Sequence, residues 1–210
     1  MVRLGRIAAA LAVWAALAVP AAAHSLEGLE QDLLAKEKFV QIVDQPAPQF
    51  ALRDAEGHSV QLSDLRGNVV VLWFVYQRCP DECPLHSEAM AAVQQMVNRT
   101  PMRDLVRFVT ITTDPEHDAP DSFPAYGAAH GLAPANWTML TSGPENPTAT
   151  RDIAGQFGLK FNADAGGYQV HGVVTHLIDK SGRLRARYHG LKFDPTHMVV
   201  HINALSADDH

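Results

Sequence analysis

One apolar run limits the folds open to this chain more than any other feature. Residues 69–75 read Val-Val-Val-Leu-Trp-Phe-Val, without a single polar interruption. A strand that lacks the alternation of apolar and polar residues is typical of a central strand covered on both faces of its sheet. Cys79 and Cys83, the only two cysteines of the chain, follow this run directly. We therefore expect the cysteines to lie at the carboxyl end of a buried central strand.

The remaining pattern predicts strands and helices in alternation. In chain order they are a hairpin over residues 49–62, the central strand over 69–75, a helix over 85–98, a strand over 106–112, a helix within 118–130, a strand over 137–140, a helix over 148–157, a hairpin over 173–188 and a closing helix over 195–206. This order is that of an α/β, thioredoxin-like fold with an N-terminal β-hairpin extension. The cysteines lie in the connection between the first central strand and the helix that follows it.

The first residues predict export from the cytoplasm. Arg3 and Arg6 precede an apolar stretch from Ile7 to Val19, which is followed by the small residues Ala21-Ala22-Ala23. A basic start, a short apolar middle and small residues at the end are typical of a secretory signal, here cut after Ala23. The stretch is shorter than the roughly 20 residues of a membrane span, so we expect membrane attachment only if the signal stays uncleaved. The expected compartment is the bacterial periplasm, where disulfides persist.

Three segments are predicted on this basis. Residues 1–23 form the signal, residues 24–44 a short amphipathic helix and linker, and residues 45–208 the thioredoxin-like domain. The 187 residues left after cleavage suffice for one domain with a sizeable core. Loss of two arginines with the signal moves the formal net charge from −6 to −8. Nucleic-acid binding depends on basic surface, so this charge argues against a nucleic-acid partner.

The spacing of the two cysteines leaves several chemistries open. Three residues separate Cys79 from Cys83, and positions i and i+4 share one face across a helical turn. Such a pair forms a disulfide, binds a soft metal or switches between these states. A purely structural disulfide is the weaker alternative because so small a loop gains little from closure. Backbone N–H groups at a helix N-terminus stabilise negative charge, so we also expect a thiolate there to have a lowered pKa.

Several stretches of the sequence resemble a known family. Residues 74–84, Phe-Val-Tyr-Gln-Arg-Cys-Pro-Asp-Glu-Cys-Pro, are similar to the C-P-x-x-C-P signature of the Sco/SenC family of copper-binding proteins. Residues 110–118 resemble the T-x-D-P-x-x-D stretch of that family, and residues 137–141 and 168–172 continue the likeness. The resemblance implies a thioredoxin-like cytochrome oxidase assembly protein that binds copper as Cu(I) or Cu(II).

The resemblance also implies the ligands. They are Cys79, Cys83 and His171; two thiolates favour Cu(I), and an added imidazole lets the site hold Cu(II) as well. His171 immediately precedes the strand that runs beside the cysteine-bearing loop in a thioredoxin-like sheet. Val170 stands where the family usually has Asp, and Gly172 where it has Ser or Thr. The neighbours that would orient the imidazole therefore differ in this chain.

Other side chains compete for a role at the metal. His86 lies three residues after Cys83 on the same predicted helix and is a weaker alternative ligand. His176 is an odd number of residues from His171, so on a regular strand it faces the other side of the sheet. Asp114 and Asp118 lie near the metal or serve as turn and helix-cap residues. We expect four further histidines at the surface: His189, His197, His201 and His210.

Three functions follow from these observations. The first is a metallochaperone that delivers copper to a copper-accepting protein, for which the resemblance implies cytochrome c oxidase subunit II or a related copper enzyme. The second is a dedicated thiol–disulfide reductase in which Cys79 and Cys83 form the redox pair. Val173 stands where thioredoxins have a cis-proline, which weakens a general oxidoreductase role. The third is a peroxidase, but residues 74–78 lack the Thr or Ser and the Pro that peroxiredoxins place before their reactive cysteine.

Overall fold

The computed structural model describes residues 25–163, 169–170 and 172–207, with the backbone alone at 162–163 and 169–170. The predicted signal over residues 1–23 and the predicted ligand His171 lie outside the described residues. Within the described part of the chain, none of the helices combines the length and the apolar character needed to cross a membrane.

A mixed sheet of six strands forms the centre of the fold, in the order β1-β10-β9-β4-β5-β6. The strands are β1 (Val40–Pro46), β2 (Ala51–Arg53), β3 (Ser59–Gln61), β4 (Val69–Val75), β5 (Val106–Thr112), β6 (Trp137–Leu140), β7 (Asn162–Ala163), β8 (Gln169–Val170), β9 (Val174–Ile178) and β10 (Arg183–His189). Strand β4 pairs in parallel with β5 and antiparallel with β9, and all of its residues are buried. The prediction of a central strand over residues 69–75 is confirmed.

Helices cover both faces of this sheet. They are α1 (Leu26–Lys36), α2 (Glu82–Asn98), α3 (Phe123–Ala129), α4 (Ala149–Gln156) and α5 (Pro195–Ala207). The side chains of β4 alternate between two cores, which explains its continuous apolar sequence. Trp73 and its alternate neighbours pack with α2 and α5 in one core, whereas Leu72 and Phe74 pack with α4 in the other.

The hairpin predicted over residues 49–62 is present as the antiparallel pair β2 and β3. The short helix predicted within residues 24–44 is present as α1. Strand β1 was not predicted, and it crosses the boundary drawn between residues 44 and 45. It pairs antiparallel with β10 at the sheet edge, and its register shifts between Ile42 and Gln45. The sequence of β1 shows no clear alternation of apolar and polar residues, and only Val40 of this strand is buried. The strand therefore has no signal in the sequence.

Candidate metal centre

The two cysteines lie on either side of the start of α2. Cys79 is in the turn after β4, where its N–H donates to the Tyr76 carbonyl at 3.1 Å. Helix α2 begins at Glu82, three residues earlier than predicted, so Cys83 is in its first turn. The Cys83 N–H donates to the Cys79 sulfur at 3.3 Å. A main-chain donor of the helix terminus is thus directed at Cys79 Sγ, where it stabilises negative charge on the sulfur.

The two thiols have unequal surroundings. Cys79 is partly exposed, whereas Cys83 is 3% exposed and packs into the core between α2 and the sheet. Burial, reinforced by the hydrogen bond with Cys79, raises the pKa of the Cys83 thiol well above its usual range. For Cys83 the expected lowering of the pKa at a helix N-terminus is therefore wrong, because desolvation outweighs the helix dipole. Cys83 is therefore a neutral thiol at neutral pH.

A pair of buried aspartates holds the residues just before Cys79. The Gln77 N–H donates to the two Asp118 carboxylate oxygens at 3.0 and 3.2 Å, and the Arg78 guanidinium donates to Asp114 at 2.7 Å. Burial raises the pKa of Asp118. Burial alone would also raise the pKa of Asp114, but hydrogen bonds from His117 and Arg78 hold it below its usual value. Both aspartates thus hold the two residues that precede Cys79, Gln77 and Arg78.

The sheet brings the start of β9 to the same edge as the cysteines. Strand β9 runs antiparallel to β4, with Leu72 opposite His176. The chain therefore enters β9, through Gly172 and Val173, at the end of the sheet where β4 leaves toward Cys79. The Val173 carbonyl accepts the Gly190 N–H at 2.7 Å, which fixes this entry. That His171 completes the site stays a prediction.

Comparison with known proteins decides the family. The SCO1/SenC family model matches residues 41–207, which is most of the chain. This chain belongs to the SCO1/SenC family. A similar curated relative is the SCO1 protein homolog of Bacillus subtilis, 22% identical over 151 residues, which cover 72% of this chain and 77% of the relative.

Solved structures of the family share the fold. BsSco, described as a member of the Sco family of cytochrome c oxidase assembly proteins, superposes with a TM-score of 0.69 at 21% identity, covering 79% of this chain and 96% of BsSco. Bradyrhizobium japonicum ScoI, solved with copper bound, gives a TM-score of 0.62 at 22% identity, covering 75% of this chain and 98% of ScoI. The thioredoxin-like α/β fold predicted from the sequence is confirmed.

His86, the alternative ligand in this SCO1/SenC chain, is directed toward the sheet. Its side chain is 2% exposed, and Nε2 lies 2.8 Å from the Thr175 hydroxyl on β9. Its ring also lies 6.2 Å from that of Trp73, at an angle of 50°. One ring nitrogen is thus engaged by the sheet rather than presented to the cysteine pair.

The other histidines divide between surface and core. His189 is exposed as predicted, His197 is partly buried, and His210 lies outside the described residues. The surface prediction is wrong for His201, which is 0% exposed and lies 3.1 Å from the Tyr188 hydroxyl. A helix that packs on both the sheet and α1 leaves that position without solvent. His176 is also fully buried and donates toward the Phe157 carbonyl at 3.2 Å, on the sheet face opposite Cys83.

Sequence reasoning missed a buried hydroxyl pair beside the cysteines. Ser87 lies one helical turn after Cys83, and its hydroxyl is 2.8 Å from that of Tyr126 on α3. Burial raises the pKa of the Tyr126 phenol well above its usual range. In the sequence, the i, i+4 spacing of Cys83 and Ser87 indicates that the two side chains are neighbours on one helix face. Tyr126 has no such signal, because only the fold brings α3 next to α2.

Proposed function

We propose that this protein is an exported copper-binding assembly factor. It binds Cu(I) or Cu(II) as cargo through Cys79, Cys83 and His171 and assists the assembly of a copper centre. The observation that carries the proposal is the cysteine pair at the N-terminus of α2, with the Cys83 N–H directed at the Cys79 sulfur. Membership of the SCO1/SenC family and the copper bound in Bradyrhizobium japonicum ScoI support the choice of metal.

The donor set suits both oxidation states of copper. Two thiolates supply soft ligands for Cu(I), and one imidazole adds the harder nitrogen that Cu(II) accepts. The approach of β9 to the cysteine edge of the sheet supports His171 as the nitrogen donor. Loading the site requires loss of the Cys83 proton, so copper transfer is coupled to proton release.

The proposed acceptor is cytochrome c oxidase subunit II or a related copper enzyme. The description of BsSco as a member of a family of cytochrome c oxidase assembly proteins supports this choice. The proposed compartment is the bacterial periplasm, supported by the basic start, apolar stretch and small residues that end at Ala23. Mass spectrometry of the mature protein tests it, since an N-terminus at His24 is expected.

A second function, dedicated thiol–disulfide reduction of the acceptor, is favoured by the asymmetry of the pair. Cys79 is partly exposed and Cys83 is buried beside it. An accessible thiol that attacks and a protected neighbour that resolves the mixed disulfide are what thiol–disulfide exchange requires. The two functions are compatible, because a reduced acceptor is ready to receive copper.

Copper titration of the reduced protein tests the ligand set. Wild type is compared with Cys79→Ala, Cys83→Ala and His171→Ala. We expect each cysteine variant to lose tight Cu(I) binding and His171→Ala to lose tight Cu(II) binding. Unchanged Cu(II) binding by His171→Ala would contradict the three-ligand site.

Turnover of a disulfide substrate by the same variants separates the two functions. A reductase needs both cysteines but no imidazole ligand, so its turnover is expected to survive in His171→Ala. Turnover that survives in Cys79→Ala would contradict the reductase role of the pair.

A further inference from the structure

The two residues before Cys79 are held by a segment remote from them in sequence. The Gln77 N–H donates to Asp118, and the Gln77 side-chain amide donates to the Ser122 hydroxyl at 2.7 Å. Arg78 donates to Asp114 on the same segment, which joins β5 to α3. The path of the chain into Cys79 is therefore set from outside the cysteine loop.

Asp118 is the strongest of these anchors. It is 1% exposed and accepts the Thr112 hydroxyl at 2.5 Å, while that hydroxyl accepts the Asp114 N–H at 3.0 Å. The Asp114 N–H thus orients the Thr112 proton toward Asp118. The Arg78 side chain is 58% exposed, so water competes with Asp114 for the Arg78 guanidinium. Water cannot replace the buried contacts of Asp118 in the same way.

The two residues that flank His171 in the sequence offer no side-chain hydrogen bond to orient its ring. They are Val170 and Gly172, and neither has a side chain that donates or accepts a hydrogen bond. Hydrogen bonds from residues outside the ligand set orient the ligands of a metal site. On the cysteine side, Asp118 makes such a contact with the main chain at Gln77, two residues before Cys79.

We infer that Asp118 is a positioning residue of the copper site. The Asp118 carboxylate holds the main-chain N–H of Gln77. It thereby places Cys79 so that the sulfurs of Cys79 and Cys83 reach one metal ion. The inference rests on the proposed copper-binding function and assigns to Asp118 an action through Gln77 rather than on the metal. Removal of such an outer contact typically weakens metal affinity by about 10–100-fold.

The test compares wild type with Asp118→Ala and Asp118→Asn, using the reduced mature chain and copper alone as the probe. Asp121→Asn is the matched control, since it removes one negative charge from an exposed position three residues away. Cu(I) affinity is measured by competition with a chelator, and the Cu(II) form by its thiolate charge-transfer absorption and its electron paramagnetic resonance spectrum. We expect Asp118→Ala to weaken Cu(I) binding by about 10–100-fold and to change the Cu(II) spectrum. Asp118→Asn keeps one acceptor oxygen and should show a smaller loss, and Asp121→Asn none.

A general loss of stability has a different signature. His176→Gln perturbs the core on the sheet face opposite Cys83, so it is expected to lower stability and leave the Cu(II) spectrum unchanged. If Asp118→Ala does not fold, the isosteric Asp118→Asn carries the test. Wild-type affinity and spectrum in Asp118→Asn would overturn the inference.

Failure of the proposed copper-binding function can be distinguished from failure of the positioning role of Asp118. A wild-type protein that binds no copper overturns the proposed function and, with it, a copper role for Asp118. The alkylation rate of Cys79 still reports whether Asp118 positions the cysteine loop. An unchanged rate in Asp118→Asn would overturn that positioning role as well.

Discussion

At the scale of single residues, burial decides the chemistry of groups that look alike in the sequence. Cys79 and Cys83 share a motif, yet one is partly exposed and the other is buried. His176 and His189 lie on neighbouring strands, yet one is in the core and the other at the surface. Side chains of one type therefore differ in reactivity and in protonation.

The cysteine asymmetry predicts unequal alkylation. Iodoacetamide should modify Cys79 in the Cys83→Ser variant at least about tenfold faster than Cys83 in the Cys79→Ser variant, because the thiolate is the nucleophile and burial opposes its formation at Cys83. Mass spectrometry of timed samples at neutral pH measures both rates. Equal rates would mean that Cys83 is accessible and ionised, contrary to its burial.

Burial of His176 predicts a loss of stability in acid. Burial lowers the pKa of His176 to about 3, below the 6.5 of an exposed histidine. Between these values the unfolded chain binds a proton that the folded chain does not, so the free energy of unfolding falls as the pH falls. The contribution is about 1.4 kcal/mol per pH unit in that window. Urea unfolding of wild type and His176→Gln between pH 6 and pH 4 measures it as the difference of their slopes.

A His176→Gln slope identical to that of wild type would contradict a buried, neutral His176.

At the scale of elements, α1 is tied to the sheet and to α5 by charged groups. Glu30, 7% exposed, lies 3.4 Å from the Arg185 guanidinium on β10 and 3.5 Å from Nε2 of His201 on α5. Directly after the end of α1, the Glu37 carboxylate lies 2.5 Å from the His197 ring nitrogen Nδ1 and accepts a hydrogen bond from it. The segment before the main domain thus forms part of the folded unit.

Replacement of Glu30 by Gln should loosen α1. The change leaves Arg185 and His201 facing an uncharged amide in a buried setting, which we expect to lower the free energy of unfolding by about 1–3 kcal/mol. The substitution should accelerate amide hydrogen exchange in α1 more than in β4. The exposed Glu27→Gln on the same helix should change stability by no more than about 0.5 kcal/mol. Equal effects of the two substitutions would show that the buried contacts of Glu30 do not hold α1.

At the scale of the whole molecule, one strand joins the site to both cores. Strand β4 supplies alternate side chains to the two cores and ends at the turn that carries Cys79. A ligand that binds only the folded arrangement of the cysteines therefore stabilises the entire domain.

Copper should accordingly raise the stability of the wild-type protein. At a free Cu(I) concentration about 100-fold above the dissociation constant, the expected gain is about 2.7 kcal/mol, reduced by any binding of copper to the unfolded chain. Thermal unfolding with and without Cu(I), under a reductant, measures it. The Cys83→Ala variant should show little gain, and an equal gain there would place the bound copper elsewhere.

The sequence alone determined the fold class and the place of the cysteines within it. An uninterrupted apolar run is typical of a strand covered on both faces of its sheet, and the cysteine motif follows that run directly. The tertiary structure decided what the local pattern does not contain: the edge strand β1, the burial of His201, the raised pKa of Cys83 and the contact of Asp118 with Gln77. These depend on segments that are distant in the chain, because desolvation and long-range hydrogen bonds exist only once the elements have packed together.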